Sequence, residues 1–168
     1  MGRFSALTLT IMVLAGPACA QDADCTGFKW SLDRELTAFK NEGSPTVASG
    51  TPLPGLVEPA RLQLLPQDQV TFPVPPAHKP RHTPGFGGSF PVPPIAAADT
   101  YQVTLSGDAW IDVVQNGKTL RQVGFTGSHS CKAVRKSVRF VLAAGPATVE
   151  ISDAEADSLM IEVLPKEH

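Results

Sequence analysis

Residues 101–117 read Tyr-Gln-Val-Thr-Leu-Ser-Gly-Asp-Ala-Trp-Ile-Asp-Val-Val-Gln-Asn-Gly, and this stretch decides the fold class. Tyr101, Val103 and Leu105 alternate with polar residues, the two-residue period of a strand with one buried face. Ser106-Gly107-Asp108 turns the chain. Ala109 to Gln115 make a second strand, with Trp110, Asp112 and Val114 on one face and Ile111 and Val113 on the other. Asn116-Gly117 is the strongest two-residue hairpin motif, because both central positions of such a turn take positive φ. Lys118 to Phe125 then return.

Downstream the pattern continues. Val138, Phe140 and Leu142 alternate, Gly145-Pro146 turns, Val149 and Ile151 alternate, and Asp153 to Asp157 form a polar turn before Leu159, Ile161 and Val163. Upstream, Leu62 and Leu64 alternate with Arg61 and Gln63, and Val70, Phe72 and Val74 repeat the period after a Pro66-Gln67-Asp68 turn. Short strands punctuated this regularly predict a mainly β, antiparallel two-sheet sandwich or jelly roll of roughly eight or nine strands. The 16 prolines and 14 glycines agree with many turns.

One helix is expected, near the N-terminus. Ser31 can cap it, Asp33 sits in its first turn, and Leu32, Leu36 and Phe39 share a face. Gly43 offers a left-handed stop. Residues 44–58, with Pro45, Gly50, Pro52, Pro54 and Gly55, predict a linker. The domain plan is therefore a signal peptide at 1–20, an N-terminal helical segment at 21–43, the linker, and a β-sandwich at 59–168.

The signal peptide rests on Arg3, the short apolar run Leu7 to Ala15, and the small residues Ala18-Cys19-Ala20. That run is shorter than the roughly 20 residues a spanning helix needs, so cleavage after Ala20 and a periplasmic or secreted location are expected. Lipidation of Cys19 is the alternative, but Gly16 and Pro17 before Ala18 fit it poorly. Cleavage leaves Cys25 and Cys131, an even pair in an oxidising compartment, and predicts a disulfide between them. Closing a loop of roughly 100 residues is worth about 4.7 kcal/mol in the chain-entropy account.

A short echo, Phe72-Pro73-Val74-Pro75-Pro76 and Phe90-Pro91-Val92-Pro93-Pro94, places proline where a ladder donor is lost. Both copies are expected as strand ends at a sheet edge, with recognition by a proline-reading module as the rival. The intervening stretch, His78 to Gly88, reads as an exposed loop.

The runs Tyr101-Gln-Val-Thr-Leu-Ser-Gly, Ile111-Asp-Val-Val-Gln-Asn-Gly and Phe140-Val-Leu-Ala-Ala-Gly-Pro-Ala-Thr-Val-Glu-Ile-Ser resemble the bacterial pre-peptidase C-terminal type of β-sandwich over about residues 98–164. Pro146 and Ala147 stand where that family often has Tyr. The resemblance implies a secreted accessory or carbohydrate-adjacent module without catalytic activity.

Function is less legible than fold. A formal net charge of −2 gives no basic surplus for nucleic acid, and no second apolar run predicts a membrane span. No catalytic elbow, phosphate loop or dinucleotide fingerprint is present, so no cofactor is expected. The candidate binding residues are Trp110 and Asp112, an apolar body beside a polar handle suited to a sugar, and His129, Lys132, Arg135 and Lys136, a basic group suited to an anion. The expected function is a non-catalytic binding module of the cell envelope, taking a glycan, an anionic group or an envelope protein partner.

Two rivals stand beside this reading. A small exported enzyme would use His129 bonded to a carboxylate in a cleft. A metal-binding protein would bring His78, His82 and His129 together, although Pro80 forbids a regular helix between the first two. The alternating Asp153, Glu155 and Asp157 lack the glycine of a calcium loop and read as a solvated turn.

Overall fold

The computed structural model describes residues 25–167. Residues 1–20, expected as a signal peptide, lie outside the described residues. The chain forms a short helix α1 (Asp33–Ala38), then strands β1 (Thr46–Ala48), β2 (Ala60–Gln63), β3 (Leu65–Pro66), β4 (Phe86–Ile95), β5 (Asp99–Leu105), β6 (Trp110–Gln115), β7 (Lys118–Thr119), β8 (Gln122–Gly127), β9 (Lys136–Leu142), β10 (Gly145–Ala154) and β11 (Ser158–Pro165). They build two sheets, ordered β1-β2-β11-β5-β9-β8 and β3-β4-β10-β6-β7. The architecture is a β-sandwich with one helix. Pairing is antiparallel throughout except for β1 with β2.

The alternation seen in sequence is the core seen in space. Val103, Leu105, Phe140, Leu142, Ile161 and Val163 of the first sheet face Phe90, Val92, Ile111, Val113, Val149 and Ile151 of the second. Asn116 (φ 54) and Gly117 (φ 71) make the expected hairpin between β6 and β7. The return is split: Lys118–Thr119 stays with the second sheet, whereas Gln122–Gly127 joins the first.

Three expectations need correction. Residues 44–58 are not a linker free of the domain: β1 pairs with β2, and Val47 and Leu53 are buried in the main core. The backbone N–H groups of Gly50 and Leu53 donate to the Ser89 and Pro91 carbonyls, so the segment also covers the free edge of β4. That is how β4 tolerates Pro91, whose missing N–H lies on the side away from β10.

Second, Val70, Phe72 and Val74 form no strand. After a 3₁₀ turn at Gln67–Gln69 the chain runs extended, with Phe72, Val74 and Pro76 turned towards the sheet and their neighbours exposed. Pro73, Pro75 and Pro76 remove the donors a ladder needs, so the segment lies across a sheet face instead of along an edge. Gly87 makes room for it: a Cβ there would meet Phe72 at 3.1 Å.

Third, the helix stops at Ala38, ahead of Gly43, whose φ is not left-handed. Nor is Ser31 the cap: Leu32 holds that position without a side-chain cap bond, and the Ser31 Oγ accepts only the Asp33 N–H, at 3.2 Å. Leu32, with Phe28, Trp30, Leu36 and Phe39, packs against Cys131 and Val134 in a second apolar cluster. The Cys25–Cys131 disulfide, with Cα atoms 4.5 Å apart, fastens that cluster to the sandwich.

Candidate functional site

The outer face of the second sheet carries the chemistry. Alternation along β6 turns Trp110 and Asp112 outward, and register sets Ser152 and Glu150 of β10 directly beside them. The extended segment at residues 70–85 crosses this face and is held by two buried carboxylates. Glu150 accepts the Val74 N–H at 3.0 Å. Asp153 accepts the backbone N–H groups of Arg81 and His82, both at 2.8 Å, and the Arg81 Nε at 2.9 Å.

Asp153 can reach that loop because of the backbone beneath it. It adopts φ 51 at the irregularity between Ile151 and Ala154, a bulge that re-aims the side chain. Expected in a solvated turn, it is buried; only Glu155 and Asp157 are exposed. Burial alone would raise its carboxyl, but the hydrogen bonds from His82 and Arg81 outweigh that and hold it below the usual carboxylate range.

So anchored, the loop covers Trp110. The His78 ring stacks on the indole with centroids 3.9 Å apart and planes 5° from parallel. The Arg81 guanidinium lies 5.0 Å and the Lys136 ammonium 5.7 Å from the indole centroid. Trp110 is therefore not the open sugar platform that an exposed Trp beside Asp112 suggests. It is a floor that positions cations.

Those cations converge on Asp108, at the turn before β6. Lys136 Nζ stands 3.1 Å, Arg135 3.6 Å and Arg81 3.7 Å from its carboxylate. Burial pushes the Asp108 carboxyl up, yet the Lys136 hydrogen bond and the three charges prevail and hold it low. Lys136 is buried and also donates to the Ala109 carbonyl; burial lowers its ammonium, with Asp108 opposing. Arg135 extends the group outward. Its guanidinium donates to the Ser128 carbonyl at 3.2 Å and to His129 Nε2 at 3.0 Å.

Arg135 and Lys136 are thus brought together at Asp108, with His129 on Arg135 and Trp110 beside Lys136. Lys132 is exposed beyond them. Asp112 lies apart from the basic group, 3.9 Å from His78; burial raises its carboxyl, with His78 opposing. Across the register Glu150 is raised too, first by burial and then by Asp112, against the Val74 N–H.

The rival arrangements do not assemble. His129 meets Arg135, not a carboxylate, and His78, His82 and His129 have three different partners. Among the described residues no group of three or more His, Cys, Asp or Glu side chains is placed to hold a metal. His82 lines a cavity of about 530 Å³ walled by Pro66, Pro80 and Pro84, and its Nδ1–H donates to the Asp153 carbonyl at 2.9 Å. Asp68 and Thr83 also line that cavity.

The sequence pointed to the basic run at 132–139 and to Trp110, but missed Asp108, Arg81 and Asp153. Asp108 sits in a turn, Arg81 in a proline-rich loop and Asp153 at a bulge near the end of β10, where polar residues carry no periodic signal. No family model, curated protein or solved structure matches the chain.

Proposed function

We propose that this chain is an exported, non-catalytic β-sandwich binding module whose recognition surface is the basic end around Asp108. Its ligand is an anionic group, a carboxylate or sulfate, carried by a glycan or an envelope partner. One observation carries the reading: three side-chain cations share a single carboxylate there. After Arg81 is also paired with Asp153, the cluster still holds more positive than negative charge.

The geometry suits an incoming anion. Arg81 and Arg135 approach Asp108 only loosely, and the guanidinium N–H groups not used on Asp153, Ser128 and His129 remain for a second oxyanion. Lys136 is spent on Asp108 and Ala109 and serves to fix the cluster. Trp110 and the Asp153 anchor hold Arg81 and Lys136 in place, so little ordering is needed on binding.

Three further points support the wider reading. The Cys25–Cys131 disulfide fits an oxidising compartment. No helix among the described residues is long and apolar enough to cross a membrane. The resemblance of residues 98–164 to pre-peptidase C-terminal sandwiches favours an accessory role over catalysis.

Calorimetric titration of the oxidised protein with oligogalacturonate and with a neutral glucan oligomer tests the proposal. Saturable binding is expected for the charged oligomer alone, weakening as salt is added. Arg81→Gln and Arg135→Gln should each lose about tenfold in affinity. Equal binding of both oligomers, or variants that bind like the native protein, would overturn it. Export is tested separately: the native protein's N-terminus should lie near Gln21.

A further inference from the structure

On the opposite side of the molecule, α1 lies over the outer surface of the first sheet and buries two carboxyl groups. Glu35 is 1 % exposed, and its Oε1 accepts from Gln102 Nε2 and from Thr104 Oγ1 at 3.2 Å. Glu162 is 4 % exposed and sits in register with Thr104 on β11. Both leave Oε2 buried without a hydrogen-bond partner among the described residues.

Two arginines act on them, Arg34 on Glu162 and Arg139 on Glu35, but both are engaged elsewhere. From α1, Arg34 neighbours Glu162 but is directed to Glu167 at 2.8 Å and to the Pro165 carbonyl at 3.2 Å. From β9, Arg139 donates to Gln102 Oε1 and lies 4.0 Å from the Trp30 ring centroid. From β2, Arg61 pairs with Met160 and is exposed. Asp33 of α1 adds another carboxylate at the rim. A buried carboxylate left like this costs several kcal/mol unless a proton or a cation neutralises it.

Beside Glu162 opens a cavity of about 540 Å³ between α1 and β11, walled by Val57, Leu164 and Ala38 with Thr37, Asp33 and Arg34 at its polar side; the Arg34 guanidinium is turned to Glu167. An apolar wall ending in a carboxylate that makes no close ion pair has the chemistry of an alkylammonium receptor. A divalent metal is disfavoured, because it needs several oxygen ligands and no three-residue cluster offers them among the described residues. We infer that this cavity binds a primary ammonium group on a short alkyl body, with Glu162 as the ion-pair partner and Val57 and Leu164 as the apolar wall.

The proton is the competing occupant. Burial first, and the Glu35 carboxylate second, push Glu162 up to about 7, against Arg34. The ammonium should therefore bind about tenfold more tightly at about pH 8 than at about pH 6, because the ionised fraction rises by that factor.

The test uses butylammonium as probe and 1-butanol as its neutral counterpart, titrated into the oxidised protein and followed by calorimetry and by side-chain carboxyl NMR. Saturable binding of butylammonium alone is expected, with a carboxyl shift at Glu162 and the stated pH dependence. Glu162→Gln should weaken it at least tenfold. Glu35→Gln, which removes the repulsion but leaves Glu162 in place, should move the pH midpoint downward. Equal binding of 1-butanol, affinity independent of pH, no saturable binding at about pH 8, or displacement of the probe by Ca²⁺ would overturn the inference.

Discussion

Asp108 holds three cations in place with one carboxylate, and its removal should separate stability from binding. In Asp108→Asn, Lys136 remains buried without its counter-charge, so unfolding free energy should fall by roughly 3 kcal/mol. Anion affinity should rise in the same variant, since a competing carboxylate is gone; denaturant unfolding and titration measure the two effects. The acid response has opposite signs at different residues. Asp108 and Asp153 are held low, so their contribution is present above the ordinary carboxylate value of about 3.9 and is lost as pH falls through their lowered folded values. Glu162 is raised, so its contribution is complete below about 4.3 and is lost as pH rises through about 7. Glu162→Gln should therefore be more stable than the native protein by roughly 2 kcal/mol at about pH 8, and similar to it near pH 4. Of these carboxylates only Asp153 stands out in sequence, and there it reads as part of a solvated turn. Glu162 occupies an ordinary outward position between Ile161 and Val163, and only α1 docking above it makes that position dry.

At the scale of elements, the loop at residues 70–85 depends on two anchors in β10. Asp153→Ala removes the acceptor for Arg81 and His82 and should free the loop without unpairing β10 from β4 or β6. Hydrogen exchange at the Arg81 and His82 amides should accelerate while Val149 and Ile151 remain protected, and Trp110 emission should shift red as His78 lifts. The loop also shows where sequence patterning stops being informative. Its alternation at Phe72, Val74 and Pro76 is real, but alternation reports only which side chains face a surface, not whether the backbone finds a ladder partner. The prolines decide that, and they favour lying across a face. At 44–58 the error has the other sign: turn residues are dense, yet Val47 and Leu53 suffice to pin three residues into a strand. The strands from Tyr101 onward were legible because each has one dry face and a turn motif at its end. The helix was legible as an element but not in length, because Glu35 must tuck against β5 and Gly43 takes no left-handed stop.

For the whole molecule, two sheets supply the main core and the disulfide joins a second, smaller cluster to it. The link spans a sequence separation of 106 residues. Reduction, or Cys25→Ser with Cys131→Ser, should cost about 3 to 4 kcal/mol, somewhat less than the chain-entropy limit. Far-ultraviolet dichroism should retain the strand signal while Trp30 emission shifts as α1 loosens, because the sandwich core does not contain Leu32 or Val134. The two sides of the molecule then differ in charge as well as in packing: cations gather at the Asp108 end, and carboxylates gather under α1. The central claim is that the first of these is where the protein meets its partner. Amide chemical-shift mapping with oligogalacturonate tests this most directly. Perturbations clustered at Arg81, Asp108, His129, Arg135 and Lys136, fading as salt is raised, are the expected result; shifts elsewhere on the sandwich, or none there at low salt, would contradict it.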